Sequence, residues 1–145
     1  MQLSVIIVNY NVKNLLRDCL LSVLKAAHSI DTEIIVVDNA SSDGSLEMLK
    51  AEFKYVKLIA NTQNLGFSKA NNQGIAQAQG KYILLLNPDT LINKNTFKDC
   101  LNFSKQTNNC GGIGVKMLDA NNQFLKESKR GFPTPWASLC RLIFI

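Results

Sequence analysis

Residues 3–8 (LSVIIV) form an unbroken apolar, β-branched run, and runs of the same kind return at 33–37 (EIIVV), 56–59 and 82–86 (YILLL). A run without polar alternation marks a strand buried on both faces, as in a parallel sheet covered by helices. The intervals agree with that reading. Between 12 and 27, Leu15, Leu16, Cys19, Leu20, Val23 and Leu24 recur at helical spacing. Segment 38–44 (DNASSDG) is a polar turn in which Ser42 or Asp43 can cap a helix with Leu46, Leu49 and Phe53 inward. Residues 68–79 read as a helix closed by Gly80, and 94–106 as a helix with Phe97 and Leu101 inward. Residues 113–117 read as a fifth strand, 119–122 as a turn and 124–126 as a short sixth strand. Such alternation predicts an α/β fold with a mostly parallel sheet. The 145 residues are expected to make one domain.

Several function classes fall away. The net charge is +5, but the lysines are scattered and the tightest basic cluster is Lys129-Arg130. A nucleic-acid partner, which calls for a basic stripe or patch, is therefore not expected. No apolar stretch approaches the roughly 20 residues that span a bilayer. The start, MQLSVIIVNYN, lacks the basic region and cleavage site of a signal peptide. Cys19, Cys100, Cys110 and Cys140 include no CxxC spacing, so buried reduced thiols in a cytoplasmic protein are expected, not a zinc or redox site. In that setting the sequons at Asn39 and Asn102 are chance matches. His28, the only histidine, excludes any site that needs two and reads as a surface or capping residue.

In open α/β sheets, ligands bind where the strands end at their carboxyl edge. The residues found there are Asn9-Tyr10-Asn11, Asp38-Asn39, the loop from Asn61 to Phe67, and Asn87-Pro88-Asp89. Turn chemistry alone accounts for any one of them. Four on one edge imply a polar cleft. GxxxxGK(S/T) is absent, and Gly111-Gly112-Ile113-Gly114 precedes a strand instead of opening a helix, so neither a P-loop nor a dinucleotide fingerprint is present. What is left is a carboxylate-and-metal solution. Asp89, rigidly placed after Pro88, can hold Mg²⁺ or Mn²⁺, which bind through one or two carboxylates plus substrate phosphates. Asp38 can accept hydrogen bonds from a base or ribose.

Four strings, SVIIVNYN (4–11), VVDNASSDGS (36–45), NLGFSKANNQGI (64–75) and LLLNPDT (84–90), appear in order. With them the chain resembles the amino-terminal part of family 2 glycosyltransferases of the GT-A fold, and among these the rhamnosyltransferase-like members with N-P-D in place of D-x-D. The resemblance reaches to about residue 130. It implies a GT-A-type α/β/α sandwich. It also implies inverting, metal-dependent transfer of a sugar from a nucleoside-diphosphate donor (a UDP- or dTDP-sugar) to a glycan or lipid-linked hydroxyl, in polysaccharide biosynthesis. Under it, Val8, Asn9 and Tyr10 lie against base and ribose, and Asp38 hydrogen-bonds one of them. Asn64, Gly66 and Phe67 shape the loop beside the nucleotide, and Ala70 and Asn71 continue that wall. Asn87 stands first in the D-x-D position, Asp89 carries the metal, and Arg130, beside Lys129, reaches the diphosphate.

The resemblance also implies an acceptor half with an acidic general base. After Asp89 the chain has only Asp99, Asp119 and Glu127, none in an acidic pair, so the base is expected beyond Ile145. The apolar close WASLCRLIFI reads as a chain cut within an element, which makes residues 1–145 the nucleotide-sugar-binding half of a longer enzyme. Peripheral contact with the inner face of the membrane is the other reading of that tail. The alternative function is a non-catalytic binding or assembly module of the same fold. A nucleotidyltransferase would want a glycine-rich, arginine-containing loop where Asn9-Tyr10-Asn11 stands.

Overall fold

The structure, a computed structural model, describes residues 1–119 and 121–125. The expected roles of Lys129 and Arg130, Cys140, Lys126 at the end of the sixth strand and the apolar tail lie outside the described residues. The chain divides into two compact units, Met1–Gln106 and Thr107–Ile145.

In the first unit, strands β1 (Leu3–Asn9), β2 (Thr32–Asp38), β3 (Lys57–Ala60) and β4 (Tyr82–Leu86) alternate with helices α1 (Lys13–Ala27), α2 (Ser45–Glu52), α3 (Phe67–Gln77) and α4 (Thr96–Gln106). The sheet has the order β3-β2-β1-β4, and every pair is parallel. Every residue of β1 is buried, as its unbroken apolar run requires. One layer packs Val5, Ile7 and Val36 against Leu16, Leu20 and Val23 of α1, Met48 and Leu49 of α2 and Phe97 of α4. The other sets Ile6, Val8, Ile35 and Val37 against Ala70 of α3. Each fully buried Leu or Ile contributes about 1.5–3 kcal/mol. The result is the expected α/β/α sandwich with a parallel sheet.

The chain runs outward from β1 to β3, then returns through α3 to place β4 on the other side of β1. The strand order therefore reverses between β1 and β4. The crevice at the carboxyl ends of those two strands is where such sheets bind ligands.

Some expectations fail locally. Leu15 is exposed, and Ala26 joins the inner face of α1. Met48 takes the buried place expected for Leu46. Helix α3 ends at Gln77, so Gly80 is not its cap. It is glycine for another reason: a Cβ there would stand 2.5 Å from the backbone nitrogen of Ser4. Its amide donates to Ser4 Oγ at 2.8 Å.

In the second unit, residues 113–117 do not form the expected strand. Ile113 and Val115 are exposed, and the pairing shown lies at the end of the stretch, where the Leu125 amide donates to the Met117 carbonyl at 3.0 Å beside an antiparallel bridge, Leu118 to Phe124. A strand interior is weakened by a glycine such as Gly114, and without a neighbouring ladder nothing compensates. The turn at Asp119 does form. Its Oδ1 accepts from the amides of Asn121 and Gln123, each at 2.8 Å.

Candidate functional site

Asn9 and Asp38 end two neighbouring strands in register, so the sheet itself puts them side by side. Neither has exposed surface. A carboxylate so buried must be hydrogen-bonded. Asp38 Oδ1 accepts from Asn9 Nδ2 at 2.7 Å, and Oδ2 from the Ser41 amide at 2.9 Å. The Ser41 amide reaches back because Ala40 adopts φ +64°, uncommon for a residue with a Cβ. Asn9 Nδ2 also donates to Ser41 Oγ at 3.0 Å, while Asn9 Oδ1 is buried without a partner. Such an orphan acceptor is rare in a finished core and is open to a water or ligand donor.

Around this pair the loops after β1 and β2 lock together. The Asn11 amide donates to Ser41 Oγ at 3.0 Å, and the Ser42 amide to Asn11 Oδ1 at 2.8 Å. Asp43 accepts from the Lys13 amide at 2.8 Å and the Ser45 amide at 3.0 Å, so one carboxylate serves the starts of both α1 and α2. Partial burial pushes its carboxyl up, but hydrogen bonds from Ser45 and Lys13 outweigh that and leave it below the usual range. The cap position of α2 is Gly44 and not Asp43 or Ser42 as expected, yet the Asp43 carboxylate, one residue before it, takes the first amide of each helix.

The loop before α3 forms the next stretch of rim. Gly66 has φ +81° and ψ +166°, a region open essentially to glycine alone, and its amide donates to Asn64 Oδ1 at 2.9 Å. Phe67 opens the helix with its ring exposed, and Asn71 Nδ2 donates to the Phe67 carbonyl at 3.0 Å. Asn61 Nδ2 donates to Asn39 Oδ1 and to Gln73 Oε1, both at 2.9 Å, and Gln73 Nε2 returns a bond to Asn61 Oδ1 at 3.0 Å. That amide chain ties α3 to the ends of β2 and β3.

After β4 comes the Asn87-Pro88-Asp89 turn, closed by the Thr90 amide donating to the Asn87 carbonyl at 3.2 Å. Behind it lies Cys19 of α1, whose Sγ–H donates to the same carbonyl at 3.6 Å. Burial pushes the Cys19 thiol up to about 12; the Thr90 backbone hydrogen bond opposes the rise and the Asp89 charge adds to it. Cys19, Cys100 and Cys110 are free thiols. Asp89 and Asn87 are both exposed.

The described residues contain no group of three His, Cys, Asp or Glu side chains that could enclose a metal ion. A divalent cation that keeps several waters and takes substrate phosphates needs only one or two carboxylates. Asp89 fits that role, with an accessible carboxylate engaged in no hydrogen bond or ion pair among the described residues. Asp38 does not, since both oxygens are committed and no surface is exposed.

The predicted residues are thus not equivalent. Asn9 with Asp38, Asn64 with Gly66 and Phe67 with Asn71 are joined by direct hydrogen bonds. Tyr10, Phe67, Asn87 and Asp89 are exposed at the same sheet edge. The Val8 and Ala70 side chains belong to the core, which leaves only their backbone for a ligand. Ser41, Gln73 and Cys19 were not among the expected site residues, and Asn11 was read only as part of the turn after the first strand. Asn11 and Ser41 sit inside conspicuous polar strings, but their pairing depends on strand register. The shallow depression of about 250 Å³ lined by Leu49, Phe53, Val56 and Leu58 shares no residue with this rim.

Comparison with known proteins adds to this geometry. The family model described as "Glycosyl transferase family 2" matches residues 4–143. The poly(ribitol-phosphate) beta-glucosyltransferase of Bacillus spizizenii is 35% identical over 133 residues, covering 88% of this chain and 21% of that protein. The minor teichoic acid biosynthesis protein GgaB of Bacillus subtilis is 34% identical over 110 residues, covering 73% of this chain and 12% of that one. The chain therefore spans only a small part of these relatives. Among solved structures, S. aureus TarS 1–349 in complex with UDP-GlcNAc superposes with a TM-score of 0.65 at 27% identity, over 82% of this chain and 38% of that one.

Proposed function

The chain belongs to glycosyl transferase family 2, and from that premise we propose that it binds the nucleoside-diphosphate sugar donor of a metal-dependent, inverting glycosyl transfer in cell-surface polysaccharide biosynthesis. The observation that carries this is the contrast at one sheet edge. A buried Asn9–Asp38 pair fixes the loop ends on one side of the strand-order reversal, and an uncommitted Asp89 carboxylate stands on the other. The TarS structure in complex with UDP-GlcNAc and the relative named poly(ribitol-phosphate) beta-glucosyltransferase support this choice of substrate class.

Each part has a separate task. Tyr10 and Phe67 offer exposed rings for stacking on a base, a contact worth about 1–3 kcal/mol. Asn9 Oδ1 is an unfilled acceptor, as buried as Asp38, and takes a ligand N–H or O–H only if the covering loop yields. Asp38, lying beneath the surface, shapes the loop through Ser41 and meets a ligand only if that loop yields. Asp89 would hold Mg²⁺ or Mn²⁺ against the donor diphosphate. When bound, such an ion neutralises the charge that builds on a departing diphosphate.

Titration calorimetry with UDP and dTDP, with and without Mn²⁺, tests the reading. Binding should tighten with Mn²⁺, and Asp89→Ala should abolish that gain. A second reading, a non-catalytic module of the same fold, is favoured by Asn87 standing where D-x-D proteins have a carboxylate. Binding to no nucleotide, with or without metal, would support it.

A further inference from the structure

Helix α1 turns a small polar face toward the segment that carries Asp89. Cys19 and Ser22 lie three residues apart on one side of that helix. The Cys19 thiol has no exposed surface and donates at 3.6 Å to the Asn87 carbonyl, which also accepts from the Thr90 amide at 3.2 Å. It therefore shares the carbonyl that closes the Asn87–Thr90 turn. Ser22 Oγ donates to the Cys19 carbonyl at 2.7 Å and accepts from the Ile92 amide at 3.0 Å. Ile92 packs on the core just beyond. Pro88 removes one backbone freedom between these points by fixing its own φ. The backbone is thus fastened to α1 at residues 87 and 92, with the turn between closed on itself by the Thr90 amide, while the Asp89 carboxylate is exposed.

An exposed carboxylate on a loose loop must be ordered when it meets its ligand, and that cost is subtracted from affinity. A carboxylate on a fastened turn avoids most of it, provided the supporting shell holds. We propose that Cys19 and Ser22 are positioning residues for Asp89, holding segment 87–92 so that its carboxylate meets a divalent cation and donor diphosphate with little rearrangement. This rests on the donor-binding reading above. Neither side chain touches the ligand; both act through the backbone of the turn.

The test uses Ser22→Ala, Cys19→Ala and the conservative Cys19→Ser. Val23→Ala serves as a control, altering a buried residue of the same helix that has no hydrogen bond to segment 87–92. Two readouts are taken on the 145-residue chain. The first is amide hydrogen exchange without metal or nucleotide. Ser22→Ala should speed exchange at Ile92, and Cys19→Ala at Thr90, by about tenfold each, because local opening sets the rate. The second is UDP affinity with and without Mn²⁺. The loss should fall on the Mn²⁺-dependent gain, which shrinks about fivefold in Ser22→Ala and Cys19→Ala. Cys19→Ser should recover most of it.

If the Mn²⁺-dependent gain survives in both alanine variants while thermal stability drops, Cys19 and Ser22 are structural and the proposal fails alone. If Val23→Ala reduces the gain equally, general loosening explains the effect and the proposal fails. If the unaltered chain shows no Mn²⁺-dependent gain, the donor-binding reading falls and takes the proposal with it.

Discussion

Asp38 and Asp89 both follow an apolar strand, yet they end in opposite surroundings. Asp38 has no exposed surface and holds two donors; Asp89 is exposed and holds none among the described residues. Asp38→Ala leaves Asn9 Nδ2 and the Ser41 amide short of an acceptor and should cost about 2 kcal/mol of unfolding free energy, read by urea denaturation. Asp38→Asn, which keeps one acceptor oxygen, should cost less. An unchanged urea midpoint in Asp38→Ala would remove the buried pair from the account. The strings VVDN and LNPD do not reveal this difference, because it arises from strand register and from Ala40 at positive φ. Gly80 makes the same point. Its sequence position suggested a helix cap, but the constraint is the Ser4 backbone pressed against it. Gly80→Ala should therefore destabilise by about 1–3 kcal/mol, the usual cost of overpacking, and calorimetric melting would show it.

The elements were legible where periodicity had a physical partner. Strand β1, central and covered on both faces, appeared as an unbroken apolar run, and α4 placed Phe97 and Leu101 inward as its spacing required. Residues 113–117 carried β-branched side chains without a ladder to join, which composition cannot disclose. At the amino-terminal ends of the strands, Glu33 of β2 gathers Ser4 Oγ at 2.6 Å and the Gln79 amide at 2.5 Å, linking β2, β1 and the entry to β4. Burial pushes the Glu33 carboxyl up, but those hydrogen bonds and nearby Lys57 outweigh it, so the folded value lies below the ordinary 4.5. A depressed carboxylate stabilises the fold above its unfolded value, and that contribution is lost as pH falls through the folded one. Urea midpoints followed from pH 7 down past 4 should thus decline more steeply for the natural chain than for Glu33→Gln. At neutral pH, Glu33→Gln should cost about 1 kcal/mol, given a half-exposed site. Parallel curves displaced by a constant would show that Glu33 is not a latch of this kind.

For the first unit as a whole, the sheet order β3-β2-β1-β4 matters more than any single residue. It reverses direction between β1 and β4 and so brings Asn9-Tyr10 and Asn87-Pro88-Asp89, far apart in sequence, to one crevice mouth. The alternation of runs implied a parallel sheet, and four strings in order implied the family. The interlocked loops behind the crevice, and the α1 face that fastens its Asp89 turn, appear only in three dimensions. The central claim is that a divalent cation and a nucleoside diphosphate meet at that mouth. Paramagnetic line broadening by Mn²⁺ in the presence of UDP, read from backbone amide spectra, tests it most directly. The account predicts broadening centred on Asp89 and Thr90 and extending to Tyr10, lost in Asp89→Ala. Broadening centred on other carboxylates such as Asp31 or Glu52, or identical in Asp89→Ala, would contradict it.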